Sequence, residues 1–239
     1  MTRTRASLGL ALTYAIVTVV EFVAEDLDIP LSAFTYSWRL DEMLAYNPER
    51  ILSDGRVVIQ SSRVESPLRR EVRVGESIVT VEIAPGYGEY DIDHLYTSSL
   101  RIIRVDSVTS SMIREKALST TRDGVEYMFI FVDSGDVAVL EGEHFRVRLP
   151  FVESTATLHT HPEGACGLSK QDVLSGLDVL SSGGLFAAAA TPSCIAFMLR
   201  RGLVSEDDYI KIREIIHKGE IRRLPATKFE TVLFGFTNY

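Results

Sequence analysis

The residues best suited to chemistry lie in the run Thr155-Ala156-Thr157-Leu158-His159-Thr160-His161-Pro162. Strand periodicity puts positions i and i+2 on one face, so His159 and His161 present two imidazoles side by side, with Cα atoms about 7 Å apart. Two such rings can converge on one cation. Pro162 has no N–H to continue a ladder, so it ends the strand and lets a loop bring up a further ligand. Asp172 is the natural third. It follows His161 by eleven residues, past the glycine-containing loop Glu163-Gly164-Ala165-Cys166-Gly167, on the first turn of the next helix. Two histidines and one carboxylate make an open zinc site, whereas a closed structural site usually takes a fourth protein ligand. Zinc held in this way polarises a carbonyl and acidifies water. Taken singly, the fragments have plainer readings. An isolated His-x-His is usually two polar residues on a strand face, and Ser169-x-x-Asp172 is a helix N-terminal capping arrangement. The capping reading and the ligand reading can hold together.

The joint spacing says more than its parts. HTHPEGACGLSKQD, from His159 to Asp172, matches the signature H-[ST]-H-P-x6-S-x2-D at every defined position, and through it the chain resembles the JAMM (MPN+) metallopeptidases. The resemblance is firm over the signature and looser from Asp106 to Tyr239, where helix, strands, motif, helix and strands follow in a similar order. It implies an α/β fold of MPN-like (cytidine-deaminase-like) type, a mixed sheet flanked by helices. It also implies one Zn2+ per chain bound by His159, His161 and Asp172, with Ser169 hydrogen-bonding the oxyanion of a tetrahedral intermediate.

The family further uses an upstream glutamate that takes a proton from the attacking water and returns one to the leaving amine. Glu126 is assigned that role. It stands 33 residues before His159, after an expected helix and directly before the apolar run Tyr127 to Val132. Glu115 falls within the preceding helix, Glu141 and Glu143 in a turn-like acidic segment, and Glu153 too close to the motif along its own strand. The sequence departs from the family in one respect: Phe129 occupies the place, three residues after the glutamate, where a glycine is common. The alternative for Glu126 is a solvated acid at a strand edge.

These groups need elements to position them. A helix is expected over Ser7 to Asp26 and a shorter one over Ser37 to Ala45, before the Asn47-Pro48 break. Arg56 to Ile59 and Val72 to Ile83 read as strands, the second turned at Gly75-Glu76, and Leu100 to Val105 as another. Ser110 to Thr120 has helical composition. Tyr127 to Val132 and Val137 to Leu140 flank the turn-like Asp133-Ser134-Gly135-Asp136, and Phe145 to Val152 and Ser154 to His161 add further strands. Ser169 to Leu180 forms the motif helix, closed by Gly183-Gly184. Leu185 to Ala190 and Ile195 to Leu199 are strands, and Ser205 opens a last helix with acids in its first turn and His217 near its end. The alanines from Ala187 to Ala190 imply close packing against a helix. The chain therefore divides into an N-terminal α+β region, residues 1–104, that resembles nothing recognisable, and a JAMM-like region, residues 105–239.

Bulk properties limit the partners. With 25 Lys and Arg against 33 Asp and Glu, the formal charge of −8 repels a phosphate backbone, so no nucleic acid partner is expected. Cys166 and Cys194 lack zinc-ribbon spacing. Cys166 reads as a small loop residue and Cys194 as a buried thiol, which fits a reducing, cytoplasmic setting while leaving one bridge open. The apolar stretch Ala6 to Val20 meets Glu21 before reaching bilayer length, so a packed helix is expected ahead of a membrane anchor or export signal. Asp91-Ile92-Asp93-His94 reads as exposed acids near a turn, and His144 and His217 as surface groups.

The expected function is that of a zinc-dependent isopeptidase or peptidase acting at the C-terminus of a ubiquitin-like modifier, and that modifier or its conjugates would be the partner. The alternatives are a non-catalytic MPN-type scaffold or binding module, and a processing metallopeptidase for a sulfur carrier or small peptide. The interval between Glu126 and His159 is too short for a large insertion that would grip a second modifier.

Overall fold

The computed structural model describes residues 1–144, 154–162, 164 and 166–239, leaving aside the side chains of residues 143 and 144. In chain order the first elements are β1 (Thr2–Arg3), α1 (Arg5–Asp26), β2 (Phe34–Tyr36), α2 (Trp38–Tyr46), α3 (Pro48–Asp54), β3 (Arg56–Ser61), β4 (Leu68–Val74), β5 (Ser77–Pro85), β6 (Tyr90–Asp91) and α4 (Asp93–Val105). They are followed by α5 (Ser107–Asp123), β7 (Val125–Phe131), β8 (Asp136–His144), β9 (Ala156–Thr160), α6 (Lys170–Ser181), β10 (Phe186–Ala190), β11 (Cys194–Arg200), α7 (Glu206–His217) and β12 (Val232–Asn238). The fold class is α/β, with two mixed sheets flanked by helices.

The larger sheet has the order β1-β8-β7-β9-β10-β11-β12 and the smaller the order β4-β5-β3-β2-β6. In the larger sheet β9 and β10 run parallel and the other neighbours antiparallel. Alternation sorts the larger sheet's side chains onto two faces. Phe129, Leu158 and Ala188 face a core that also contains Leu10 and Ile16 of α1 and Phe34, Ile59 and Val81 of the smaller sheet. Ala187, Met198 and Phe234 face the other way, against Val173 and Leu177 of α6 and Ile212 and Ile216 of α7. The alanines of β10 let α6 lie close: a Cβ added at Gly176 would stand 2.3 Å from Met198 Sδ.

α1 is apolar over most of its circumference and buried over most of its length, with Thr18, Phe22 and Glu25 exposed along one strip. Its start is fixed by a capping box in which Thr4 and Ser7 exchange backbone N–H and side-chain oxygen bonds of 2.9 and 3.1 Å. By length and composition α1 would cross a membrane, but 78% of its most apolar window is buried in this fold. Ser7 Oγ donates to the carbonyl of Gly135, in the turn between β7 and β8, at 2.6 Å. Towards the other end of the helix, Glu21 takes an ion pair from the fully buried Arg200 of β11 and a 2.6 Å hydrogen bond from the Tyr96 hydroxyl.

Several expectations need correction. Leu100 to Val105 is the second half of α4, not a strand. Leu95, Tyr96, Ser99, Leu100, Ile102 and Ile103 are buried at helical spacing, which a six-residue window reads as a plain apolar run. Glu141 and Glu143 lie within β8, which continues to His144, not in a turn. β1, β2, α3, β6 and β12 lie outside those expectations. The expected strand Phe145 to Val152 and Glu153 lie outside the described residues.

Candidate metal centre

β9 delivers both histidines. Residue 159 pairs in register with Met128 of β7 on one side and Ala189 of β10 on the other, so its ring stands over the face that α6 covers. The His161 N–H donates to the Ala190 carbonyl at 2.7 Å, which carries the chain two residues on with its side chain on the same face. The rings meet edge to face, their Nε2 atoms 2.9 Å apart. α6 starts beside them, and its N-terminal turn carries the third group. Asp172 Oδ1 lies 3.1 Å from His159 Nε2 and Asp172 Oδ2 3.3 Å from His161 Nε2.

The capping reading of Ser169 and Asp172 holds as well. The Ser169 N–H donates to Asp172 Oδ2 at 2.6 Å and the Asp172 N–H to Ser169 Oγ at 3.2 Å, a complete capping box. The bond to Oγ uses one lone pair of the hydroxyl and leaves its proton available to donate. Ser169 lies at the exposed mouth of the cleft.

Glu126 comes from β7 at a break in regular pairing. The β7–β8 register shifts between Val125 and Tyr127, where residues 142 and 143 of β8 stand against the single Glu126, so β8 bulges beside it. Glu126 lies two residues before Met128, so strand alternation puts it on the histidines' face, and its charge reaches His161. Glu126, His159, His161, Ser169 and Asp172 all line one cleft of about 280 Å³. Phe129, at the place where the resemblance leads one to expect glycine, is fully buried on the opposite face and takes no part in the cleft.

The electrostatics follow from this crowding. Burial pushes the Asp172 carboxyl up, but hydrogen bonds and charge from His159 and His161 outweigh it and hold the group well below the usual carboxylate range. Burial pulls the His161 imidazole down, yet the hydrogen bond and charge of Asp172, with the charge of Glu126, raise it overall. An anionic carboxylate facing two imidazole nitrogens suits a cation. The spacing suits one as well: ligands about 2.0–2.1 Å from a tetrahedral zinc lie about 3.3 Å from one another. The observed separations of 2.9, 3.1 and 3.3 Å are close to that. Among the described residues this is the one cluster of three such side chains able to hold a metal ion.

The other candidates stand elsewhere. Glu115 is exposed on α5 and Glu141 on β8. His94 is exposed and stacks on Tyr90, Asp93 pairs with Arg201 at 2.6 Å, and His217 is exposed at the end of α7. The cysteines require a correction: Cys166 and Cys194 form a disulfide, so Cys194 is not a thiol and Cys166 does more than fill a loop. The bridge ties the loop between His161 and Asp172 to the first residue of β11. The sequence carried no cue to this beyond an even number of cysteines. Thr160, between the two histidines, and Thr120 carry no sequence signal, because a hydroxyl on the far side of the histidine-bearing strand has no motif of its own.

Comparison of the chain with family models, with curated proteins and with solved structures finds no match.

Proposed function

We propose that this protein is a zinc-dependent peptidase or isopeptidase of the JAMM (MPN+) type, cutting an amide bond at the C-terminus of a ubiquitin-like protein modifier. One observation carries the reading: the two histidines and the aspartate of the signature converge in a cleft that also holds Glu126 and Ser169. The modifier as substrate comes from the resemblance of HTHPEGACGLSKQD to that family and from nothing else.

His159, His161 and Asp172 hold the metal. A bound zinc ion supplies Lewis acidity, which polarises the scissile carbonyl and lowers the pKa of water. Glu126, which lines the same cleft as His161, accepts a proton as water attacks and delivers one to the leaving amine. Ser169 donates its free hydroxyl proton to the oxyanion while its lone pair caps α6. The disulfide steadies the loop that joins these groups.

The test is metal analysis followed by incubation of zinc-loaded protein with modifier conjugates, with Glu126→Gln as the control. Stoichiometric, chelator-sensitive zinc and hydrolysis that depends on Glu126 support the proposal. Zinc without hydrolysis of any conjugate would leave a binding module instead.

A further inference from the structure

Behind the histidines, on the face turned away from the cleft, two buried threonines close a hydrogen-bond chain. The regular ladder between β7 and β9 ends at the Met128–His159 pair. At the next position the Tyr127 N–H finds a side chain in place of a strand carbonyl and donates to Thr160 Oγ1 at 2.8 Å. Thr160 Oγ1 lies 2.6 Å from Thr120 Oγ1, which in turn lies 3.0 Å from the Lys116 carbonyl. Both threonines are fully buried.

Each hydroxyl has a single proton to give, and two proton orders satisfy this chain. Either Thr120 gives its proton to the Lys116 carbonyl and accepts from Thr160, or it donates to Thr160, which then gives its own proton to the Tyr127 carbonyl at 3.5 Å; in both orders Thr160 Oγ1 keeps a lone pair for the Tyr127 N–H. The chain therefore runs from the Tyr127 amide through two hydroxyls to the last turns of α5. Its first link is the peptide that joins Glu126 to Tyr127, at the point where the β7–β8 register slips. On the β8 side the register slips beside that peptide, and on the β9 side a hydroxyl holds it.

We infer that Thr160, backed by Thr120, is a positioning residue that fixes the Glu126–Tyr127 peptide and so aims the Glu126 carboxylate into the cleft. One side chain then links the two halves of the site, since Thr160 sits on the backbone between the two histidine ligands and grips the backbone of the proton carrier. The inference rests on the proposed role of Glu126, but its first test does not.

That test is hydrogen exchange of the Tyr127 amide, read by NMR in Thr160→Val, Thr160→Ser and Thr120→Val proteins. Val keeps the shape of Thr and removes the acceptor. Exchange at Tyr127 rises roughly tenfold in Thr160→Val, as expected for loss of one buried hydrogen bond, and returns towards the parent value in Thr160→Ser. Thr120→Val, which leaves the Thr160 acceptor in place, gives a smaller rise and serves should Thr160→Val fail to fold. Zinc content stays at the parent value in all three. Unchanged protection at Tyr127, or loss of zinc from folded Thr160→Val protein, overturns the inference whether or not a substrate is turned over. Where conjugates are hydrolysed, Thr160→Val lowers kcat roughly tenfold with KM held, and Thr160→Ser restores it. In a Glu126→Gln background Thr160→Val adds no further loss. Losses that multiply in the double variant show that Thr160 does not act through Glu126.

Discussion

Ser169 and Asp172 clasp each other at the start of α6, the N–H of Ser169 donating to Asp172 Oδ2 at 2.6 Å and the N–H of Asp172 to Ser169 Oγ at 3.2 Å. The clasp holds the Asp172 carboxylate in place with Oδ1 3.1 Å from His159 Nε2. The bland and the chemical readings of Ser-x-x-Asp thus describe one arrangement: the cap orients the carboxylate proposed as a ligand, as outer contacts around metal ligands generally do.

That coupling can be separated by Asp172→Asn. Ser169 remains the N-cap and the asparagine amide oxygen can still accept its N–H, so the far-ultraviolet circular dichroism and the start of α6 are expected to persist. Zinc affinity, measured by competition with a chromophoric chelator, should fall by more than the roughly 10–100-fold that loss of a merely supporting contact costs. Parent-like affinity would remove Asp172 from the ligand set.

Glu126→Gln keeps the size and the strand position of the side chain and removes the carboxylate proposed as the base. Zinc stoichiometry is expected to hold, while kcat drops about 10²–10⁴-fold. A variant that turns over conjugates at the parent rate would leave Glu126 as a solvated strand-edge acid.

For chelated, metal-free protein the pH dependence has a definite sign. The His161 imidazole is raised above its ordinary 6.5, so its contribution to stability is complete below that value and is lost as pH rises through the elevated one. The Asp172 carboxyl is depressed below its ordinary 3.8, so its contribution is present above that value and is lost only as pH falls through the depressed one. Both act together between about pH 4 and 6.5. Urea denaturation of chelated parent and Asp172→Asn proteins should differ most in that window. The extra stability given by added zinc should shrink as pH falls, since protons compete for the imidazoles.

Cys166 and Cys194 close a loop with a sequence separation of 28. Restricting the unfolded chain in this way is worth about 3–4 kcal/mol. Reduction, or Cys194→Ser, should lower the urea midpoint correspondingly and weaken zinc binding, because the enclosed segment carries Asp172. Coincident denaturation curves with and without reductant would count against this.

The buried pair of Glu21 and Arg200 gives a prediction away from the cleft. Glu21→Ala leaves a fully buried guanidinium without its partner and should cost about 3–5 kcal/mol in chemical denaturation. A loss below about 1 kcal/mol would mean that water or another acceptor reaches Arg200.

The site was far more legible in the sequence than the fold around it. His159, His161 and Asp172 could be found because strand period and motif spacing both act within fourteen residues of chain. Glu126 could be placed only by analogy, since what brings it into the cleft with His161 is the pairing of β7 with β9. The helix α4 was misread at Leu100 to Val105 because a buried helical face and a short strand look alike over six residues. The elements β2, β6 and β12 are held by pairing rather than by local propensity. The Cys166–Cys194 bridge and the Thr160–Thr120 contact depend on which strands become neighbours, and spacing along the chain does not encode that.

α1 works as a gauge. Ser7, early in the helix, is bound to the turn between β7 and β8, and Glu21, later in it, to Arg200 at the end of β11. One rigid rod of 22 residues therefore measures the distance across the larger sheet, from the hairpin that carries Glu126 to the strand that begins at Cys194. A single inserted residue between Ser7 and Glu21 would rotate the far end by about 100° and advance it about 1.5 Å. Only one of the two grips could then survive, and the strands on either side of the histidines would lose their common reference.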